Sequence, residues 1–600
     1  MDGLEFNDIA DRKSRSVSVD SSRTVGRDTP PPSDYMRNIG EYDFGKGFVL
    51  REDMVVPVKK GFMIAEQQVD FVKVVAMLRD LSTGLVYVQG YVFTRLCNLG
   101  GMLDPKLNEV AMLVQEDNSN QVDFQQHRLV KVPLYRIVPR ERQLHITNAC
   151  FPQFRFPVDD LTHLHDQDQA KNWVKENSWL TCRWFFIRRY SNREHMESGG
   201  KALESEVRAV SEDDSDDAFK VKDEYKLNDW RGGKIPGGSS LPNGEKVKMI
   251  LDLDGEDRAR NVHIRPGQTY DAGDFFAGAG GVSRGIFDAG ARVSLAVDHW
   301  APASASYQAN FPTTELRQVD IFDHIIDSET RSHLDLLHLS PPCQVYSPAH
   351  TRPGRNDEDN EAALFACSEL IKKHRPRVFT LEQTFGILHV GSKLYFNALV
   401  QGFTRHGYSV GWTISHFKTY GLPQPRKRLI MFGSCPGEKL PPFPKPTHGD
   451  PRRGLRPYVT ARDVLSFLRP GMYLHDPRST VPRDQAPWNP DEPLPWTITC
   501  DGGRNTFWDG KRTLTLRELA ILQGFARDHK FQEPSIKKQI GNAFPSAVVK
   551  VFYAHLVAWL DEQDGIDPAR AARQRARVFR DGARSGHRGD GSASSPIELV

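Results

Sequence analysis

From about residue 262 onward, short apolar runs alternate with helix-length segments. The runs are residues 295–297, 334–339, 378–381 and 429–432. Apolar runs of this kind, too short for helices and set between helical lengths, predict a mostly parallel sheet covered by helices. The helical run 546–560 (SAVVKVFYAHLVAWL) closes this unit, so an α/β domain is expected over 262–560. In open sheets of this class ligands bind outside the carboxyl ends of the strands. The residues just after each run are therefore the first candidates for chemistry.

Residues 274–281 (DFFAGAGG) follow an extended segment and precede a helical one. Gly278, Gly280 and Gly281 let the backbone turn tightly and approach a ligand closely. The pattern is neither G-x-G-x-x-G nor a P-loop, because no Gly-Lys-Ser/Thr follows. About twenty residues later the next run ends at Asp298, a spacing suited to ribose hydroxyls. The following strand end carries Asp320 and Ile321. Three such ends facing one crevice suit a nucleoside-type cofactor.

The chain has seven cysteines, none in C-x₂₋₄-C spacing, so neither a zinc module nor any other metal site is expected. Most read as small buried hydrophobes. Cys343 does not: it follows a strand in Leu-Ser-Pro-Pro-Cys-Gln, where two prolines fix the backbone before it. A thiol so placed suits nucleophilic work.

Residues 274–281, Pro342-Cys343-Gln344, Glu382-Gln383-Thr384, Gln424-Pro-Arg426-Lys-Arg428 and Gly541-Asn542 occur in an order that resembles the DNA (cytosine-5) methyltransferase family, over about half the chain. Residues 515–525 resemble the family's late structural motif. The resemblance implies a Rossmann-like S-adenosylmethionine-dependent methyltransferase domain. It implies that Phe276, Gly278, Gly280 and Gly281 line the S-adenosylmethionine pocket, with Asp298 on the ribose, His299 on the adenine face, and Asp320 and Ile321 at the adenine edge. Pro342, Leu364, Asn542 and Ala543 are expected to complete it. Asn542 comes from far along the chain, so the fold must return that end beside the first strand. Cys343 is implied as the nucleophile on cytosine carbon 6, Glu382 as the partner of N3, Arg428 as the partner of O2, and Arg426 as part of the same catalytic group. Gln344, Ser347, Arg352 and Arg355 are implied DNA contacts, on the segment 347–356 that resembles the family's mobile loop.

Two departures stand out. Glu382-Gln383-Thr384 replaces the family's usual Glu-Asn-Val. That triplet resembles a fungal subgroup, the repeat-induced point mutation–defective (RID) type, and predicts weak or context-restricted turnover. The region available for target recognition, about 438–510, is short and Pro-rich, with a strand-like piece at 495–499. Little intrinsic sequence specificity is expected.

The remainder of the chain divides by composition. Residues 1–38 are rich in Ser, Arg, Asp and Pro and are expected to be disordered. Short β-like runs at 71–78, 85–93, 110–114 and 129–138 predict a β-rich domain over 39–195. It resembles a BAH (bromo-adjacent homology) chromatin module, which implies contact with nucleosomes or histones; a β-rich docking domain is the alternative. Residues 204–217 hold seven acids against Arg208 and precede a Gly-rich run, so 196–261 is expected to be a solvated linker. Residues 561–600 are expected to form a disordered Arg-rich tail, solubilising or nucleic-acid-binding, whose end (SSPIELV) resembles a SUMO-interacting motif. No apolar run of ~18 residues occurs, so no membrane span is expected. Net charge is only +2, so any nucleic-acid surface must be local. Together these features predict a nuclear enzyme acting on double-stranded DNA in chromatin silencing. The alternatives are a silencing factor that binds DNA with little turnover, and an RNA cytosine methylase.

Overall fold

The computed structural model describes residues 35–117, 129–151, 166–247, 264–328, 333–346, 357–500 and 505–585. The tail expected over 1–38 lies outside the described residues up to 34; beyond it Met36–Asn38 is already a paired strand.

The first half is built on β1 (Met36–Asn38), β2 (Val55–Pro57), β3 (Phe71–Asp80), β4 (Val86–Arg95), β5 (Glu109–Asp117), β6 (Val130–Pro133), β7 (Leu144–Ile146), β8 (Leu180–Tyr190) and β9 (Glu204–Ala209). The second half adds β10 (Asp271–Phe275), β11 (Arg292–Val297), β12 (Glu315–Arg317), β13 (Leu336–Leu339), β14 (Val378–Gln383), β15 (Ser409–His416) and β16 (Lys427–Ser434). All sixteen join one sheet, whose main path runs β1-β3-β4-β5-β8-β9-β15-β16-β14-β13-β10-β11-β12. The five strands β12, β11, β10, β13 and β14 are parallel neighbours, while β16 and β15 turn antiparallel. The expected α/β unit is therefore present, with a mixed sheet.

The acidic stretch is not a solvated linker. Glu204–Ala209 is β9, paired antiparallel to β8 on one side and to β15 on the other. The reason lies outside the stretch. Arg189 on β8 reaches Glu116 at 2.7 Å and Glu204 at 3.6 Å, and also pairs with Glu206, so the charge is neutralised across strands rather than along the sequence. Helix α1 (Asp223–Arg231) follows, and its Arg231 donates to the carbonyls of Arg375 and Leu334 at 2.9 Å each. One apolar cluster runs through both halves, from Val72, Val92 and Phe186 to Phe275, Leu381 and Met431.

The second half carries α2 (Gly281–Asp288), α3 (Ala301–Asn310), α4 (Ile321–Ile326), α5 (Asp357–His374), α6 (Lys393–Thr404), α7 (Leu516–Leu522), α8 (Ile536–Asn542), α9 (Ser546–Gln563) and α10 (Pro568–Ser585). The stretch Ile536–Gln563 is long and apolar enough by composition to cross a membrane, which run length alone did not reveal. In the fold it is two helices, and α9 buries Val548, Val549, Phe552 and Leu556 in the core. The Arg-rich segment is likewise not a disordered arm from its start: α10 docks through a buried Arg575–Asp561 pair at 2.7 Å. The SUMO-like end lies outside the described residues.

Candidate active site

Cys343 lies just past the carboxyl end of β13. The strand end is held stiffly: His338 bridges Thr380 at 2.7 Å and Ser340 at 2.5 Å, and burial pushes its pKa down to about 3, leaving a neutral ring. The backbone then passes through Pro341 and Pro342 to a half-buried Cys343. Burial raises the thiol's pKa above its ordinary value. Arg428 and Arg426 oppose that shift, and Glu382 reinforces it. The sulfur of Cys343 thus rests as a thiol, with two guanidinium groups acting against its protonation.

Glu382 and Arg428 project from neighbouring antiparallel strands, β14 and β16, and their Oε1 and Nε atoms stand 2.7 Å apart. Neither atom is aligned for a hydrogen bond, although both are buried. The pair is thus close enough to attract while these two atoms keep unused hydrogen-bonding capacity, and both charges act on the Cys343 sulfur. Arg426, grouped with these by the sequence, does something else. Its guanidinium is buried and donates to the carbonyls of Ile498 at 3.2 Å and of Gly541 and Ala543 at 3.4 Å. It clips the segments around Ile498 and around Gly541–Ala543 to the end of β16. Gln424 does the same with Ile498 N–H at 3.0 Å and the Leu522 carbonyl at 2.9 Å. These side chains replace a strand neighbour: residues 495–499, expected as strand-like, are irregular. Gln383 is fully buried, and its amide reaches the Pro341 and Pro342 carbonyls only at 3.5 Å each.

The glycine-rich turn forms at the end of β10. Asp274 accepts Ser283 N–H at 3.0 Å and its hydroxyl at 2.6 Å, which ties the turn to the first turn of α2. Phe276 is left-handed at φ 63°, and Gly278 at φ 55° has nothing within 4 Å of where a Cβ would stand. Open space above Gly278 is what a cofactor cradle requires. Gly280 and Gly281 serve packing instead: a Cβ would meet the Phe311 ring at 2.3 Å or the Phe544 carbonyl at 2.7 Å. Asp298 accepts Gly278 N–H and Trp300 N–H at 2.8 Å each, so it shapes the turn while each oxygen keeps a free lone pair. Asp320 caps α4 through Phe322 N–H at 2.8 Å, beside buried Ile321. His299 is exposed next to half-buried Trp300.

Two residues expected at the cofactor have other surroundings in the fold. Leu364 is 0% exposed within the core, on the face of α5 shared with Cys367 and Ile371, and presents no surface to a pocket. Ala543 contributes its carbonyl, which takes Gln523 at 2.8 Å as well as Arg426. Asn542 does return to the catalytic end, where its Oδ1 accepts from Cys500 Sγ at 2.5 Å. Cys500 was not singled out by the sequence; the only signal was its position directly after 495–499. Gln344 is exposed beside the nucleophile, whereas Ser347, Arg352 and Arg355 lie outside the described residues.

A parallel-sheet enzyme with a glycine-rich cradle and a cysteine beside a carboxylate–guanidinium pair is thereby defined. Residues 270–467, a third of the chain, match the C-5 cytosine-specific DNA methylase family, so this segment is similar to the methyltransferases of that family. The Type II methyltransferase M.AgeI of Thalassovita gelatinovora is 26% identical over 272 residues, covering 41% of this chain and 62% of the relative. Type II methyltransferase M1.HphI of Haemophilus parahaemolyticus is 27% identical over 308 residues, covering 45% and 82%. DNA (cytosine-5)-methyltransferase 1 of Gallus gallus is 27% identical over 190 residues, covering 29% and 12%. Among solved structures, S. pombe Dnmt2 methyltransferase aligns over 48% of this chain and 98% of its own at 16% identity and a TM-score of 0.36, values that carry no argument.

Proposed function

We propose that the protein methylates carbon 5 of cytosine in double-stranded DNA through a covalent adduct at Cys343. The observation that carries this reading is that Cys343, just past one strand end, stands close enough to the Glu382–Arg428 pair of two neighbouring strands to feel both charges. The family uses S-adenosylmethionine as its methyl donor, and the open space over Gly278, whose N–H Asp298 accepts, fits that group; we assign Asp320 and Asn542 to it as well. When bound, it supplies an electrophilic methyl group.

The chain's own residues do the rest. Cys343, once deprotonated, adds to carbon 6 of the cytosine; the electron pair of the 5,6 double bond moves toward N3. Glu382 stabilises that charge by hydrogen bonding or protonating N3, and Arg428 holds O2. After carbon 5 is methylated, loss of its proton restores the double bond and expels Cys343 as a thiolate. The base must leave the duplex stack to reach Cys343, at a cost of roughly a few kcal/mol.

Around this core we place the finer expectations: a nuclear protein of the RID-like subgroup, acting in chromatin silencing, its first half a BAH-like module that touches nucleosomes. A second reading, a silencing factor with little turnover, draws on the long Gln383 contacts to Pro341 and Pro342. Trapping with 5-fluorocytosine decides between them, because fluorine at carbon 5 blocks the final elimination. A denaturation-resistant adduct that needs cofactor and disappears in Cys343→Ala is expected. Its absence despite measured DNA and cofactor binding would leave the second reading standing.

A further inference from the structure

We propose that Ser340 is a positioning residue for Glu382: a buried chain of Tyr553, Thr380 and His338 aims its hydroxyl proton outward, to be taken by the Glu382 carboxylate once the target base is bound. The inference rests on the methylation reading proposed above.

The chain is continuous and nearly closed to solvent. Tyr553 Oη on α9 lies 2.8 Å from Thr380 Oγ1 on β14, which lies 2.7 Å from His338 Nδ1 on β13; His338 Nε2 lies 2.5 Å from Ser340 Oγ. Tyr553, Thr380 and His338 are buried, and Ser340 is half-buried. Among the described residues the Tyr553 and Thr380 hydroxyls have no other partners. Burial fixes the direction, because a buried donor left without an acceptor is strongly disfavoured. The Tyr553 proton goes to Thr380 Oγ1, and the Thr380 proton then goes to His338 Nδ1. His338, a neutral ring, therefore carries its proton on Nε2 and donates it to Ser340 Oγ. The Ser340 proton is left pointing away from His338, with no acceptor among the described residues. The chain is not a proton wire: passing a proton out of it would leave a phenolate at Tyr553, whose pKa burial pushes up. Its effect is to orient.

Register places Glu382 beside the end of this chain. His338 pairs with Thr380, and Leu339 with Leu381, across parallel strands, so the next level holds Ser340 and Glu382. Ser340 N–H bonds the Phe275 carbonyl at 3.2 Å, so the ladder extends one residue past β13. Side chains alternate along a strand, and His338 and Thr380 touch; Ser340 and Glu382 therefore share their face. Adjacent strands are ~4.8 Å apart, a gap that a glutamate side chain spans. In the sheet β14 lies between β13 and β16, so Glu382 has Arg428 on one side and Ser340 on the other. Its Oε1 stands against Arg428 Nε, yet neither atom makes a hydrogen bond. A carboxylate that must face N3 of the base needs its rotation fixed, and the oriented Ser340 proton supplies a second donor for that task.

Two measurements on the full chain test this. Nitrogen-15 spectra of histidine-labelled protein, with His338→Gln to assign the signal, should show Nε2 protonated and Nδ1 bare. Tyr553→Phe releases Thr380 and should shift His338 toward the Nδ1-protonated tautomer. A parent ring protonated on Nδ1 would overturn the chain. The second measurement is a double-mutant cycle on the rate of the 5-fluorocytosine adduct at saturating cofactor and DNA. Ser340→Ala should slow the adduct about tenfold, the equivalent of one hydrogen bond to a charged group, with thermal midpoint and cofactor affinity unchanged. In Glu382→Gln, a neutral and weaker acceptor, the same substitution should cost only about threefold. Glu382→Asp, whose shorter side chain breaks the link, takes its place if the amide variant is too slow to trap. Equal losses in both backgrounds would show that Ser340 does not act through Glu382. No adduct with the parent protein would defeat the methylation reading and the role at Glu382 together, while the tautomer would still decide the chain.

Discussion

Cys343 faces a conflict that its neighbours resolve only partly. Burial raises the thiol's pKa, Arg428 lowers it, and Glu382 raises it. Removing each neighbour therefore has a predictable sign. In the free protein, alkylation of Cys343 by iodoacetamide at pH 8 should quicken several-fold in Glu382→Gln and slow several-fold in Arg428→Ala, because only the thiolate reacts. Equal rates in all three would show that the pair does not act on the sulfur. Gln383 offers a second test at this scale. Gln383→Met keeps the volume but drops the amide's hold on the Pro341 and Pro342 carbonyls. Single-turnover methyl transfer should fall about tenfold, the equivalent of one modest hydrogen bond, with cofactor affinity unchanged. The chemistry-bearing residues were legible because their types and order are demanded by the reaction. Arg426 holds backbone carbonyls and Leu364 is buried in the core, surroundings that motif membership does not disclose, because it does not say whether a side chain points at the site or at the backbone behind it. Cys500 was invisible because its role depends on Asn542, 42 residues away, folding against it.

At the scale of elements, the turn between β10 and α2 stores an ionisable group in an unfavourable place. Burial raises the Asp274 pKa to about 7, against the opposing hydrogen bonds from Ser283. The folded state thus binds a proton that the unfolded chain releases near pH 4. Stability should be highest below that value, fall as pH rises toward 7, and level off beyond it. Asp274→Asn keeps an acceptor for Ser283 and removes the titration. Its thermal midpoint should vary less between pH 4 and pH 8 than the parent's, with the variant gaining a few kcal/mol at the alkaline end. A parallel pH dependence in both proteins would exclude Asp274 as the cause. The strands around this turn were easy to anticipate, since β11, β13, β14 and β16 are apolar runs buried on both faces. The strand β15 was missed because Ser409, Thr413, Ser415 and His416 interrupt its apolar pattern near the junction of the two halves.

At the scale of the molecule, β9 converts two sequence regions into one sheet, and this was the least legible feature. Seven acids in fourteen residues read as solvated until Arg189, fifteen residues upstream of Glu204, is placed among them. Arg189 holds Glu116, Glu204 and Glu206 together, and its side chain is 25% exposed. With β9 in place, Asn397 and Thr404 of α6 also bond the carbonyls of Gly100 and Met102 at 2.9 and 2.8 Å, and Arg231 of α1 bonds those of Arg375 and Leu334, so the halves also meet away from the strand. Such a shared sheet and core should unfold as one unit, giving a single calorimetric transition. Arg189→Leu leaves three carboxylates crowded without a cation and should cost about 2 kcal/mol, the low side for a pair still partly open to solvent. If β9 is the main coupling, the variant should unfold in two steps, the first half before the second. Burial and its acidic neighbours already raise the Glu204 pKa, and Arg189 restrains that rise. Without Arg189 the group takes up its proton at higher pH, so acidifying from pH 7 toward pH 5 should relieve the repulsion and draw the two transitions back together. A single transition at pH 7 in Arg189→Leu would mean that the α1 and α6 contacts, not the strand, carry the coupling.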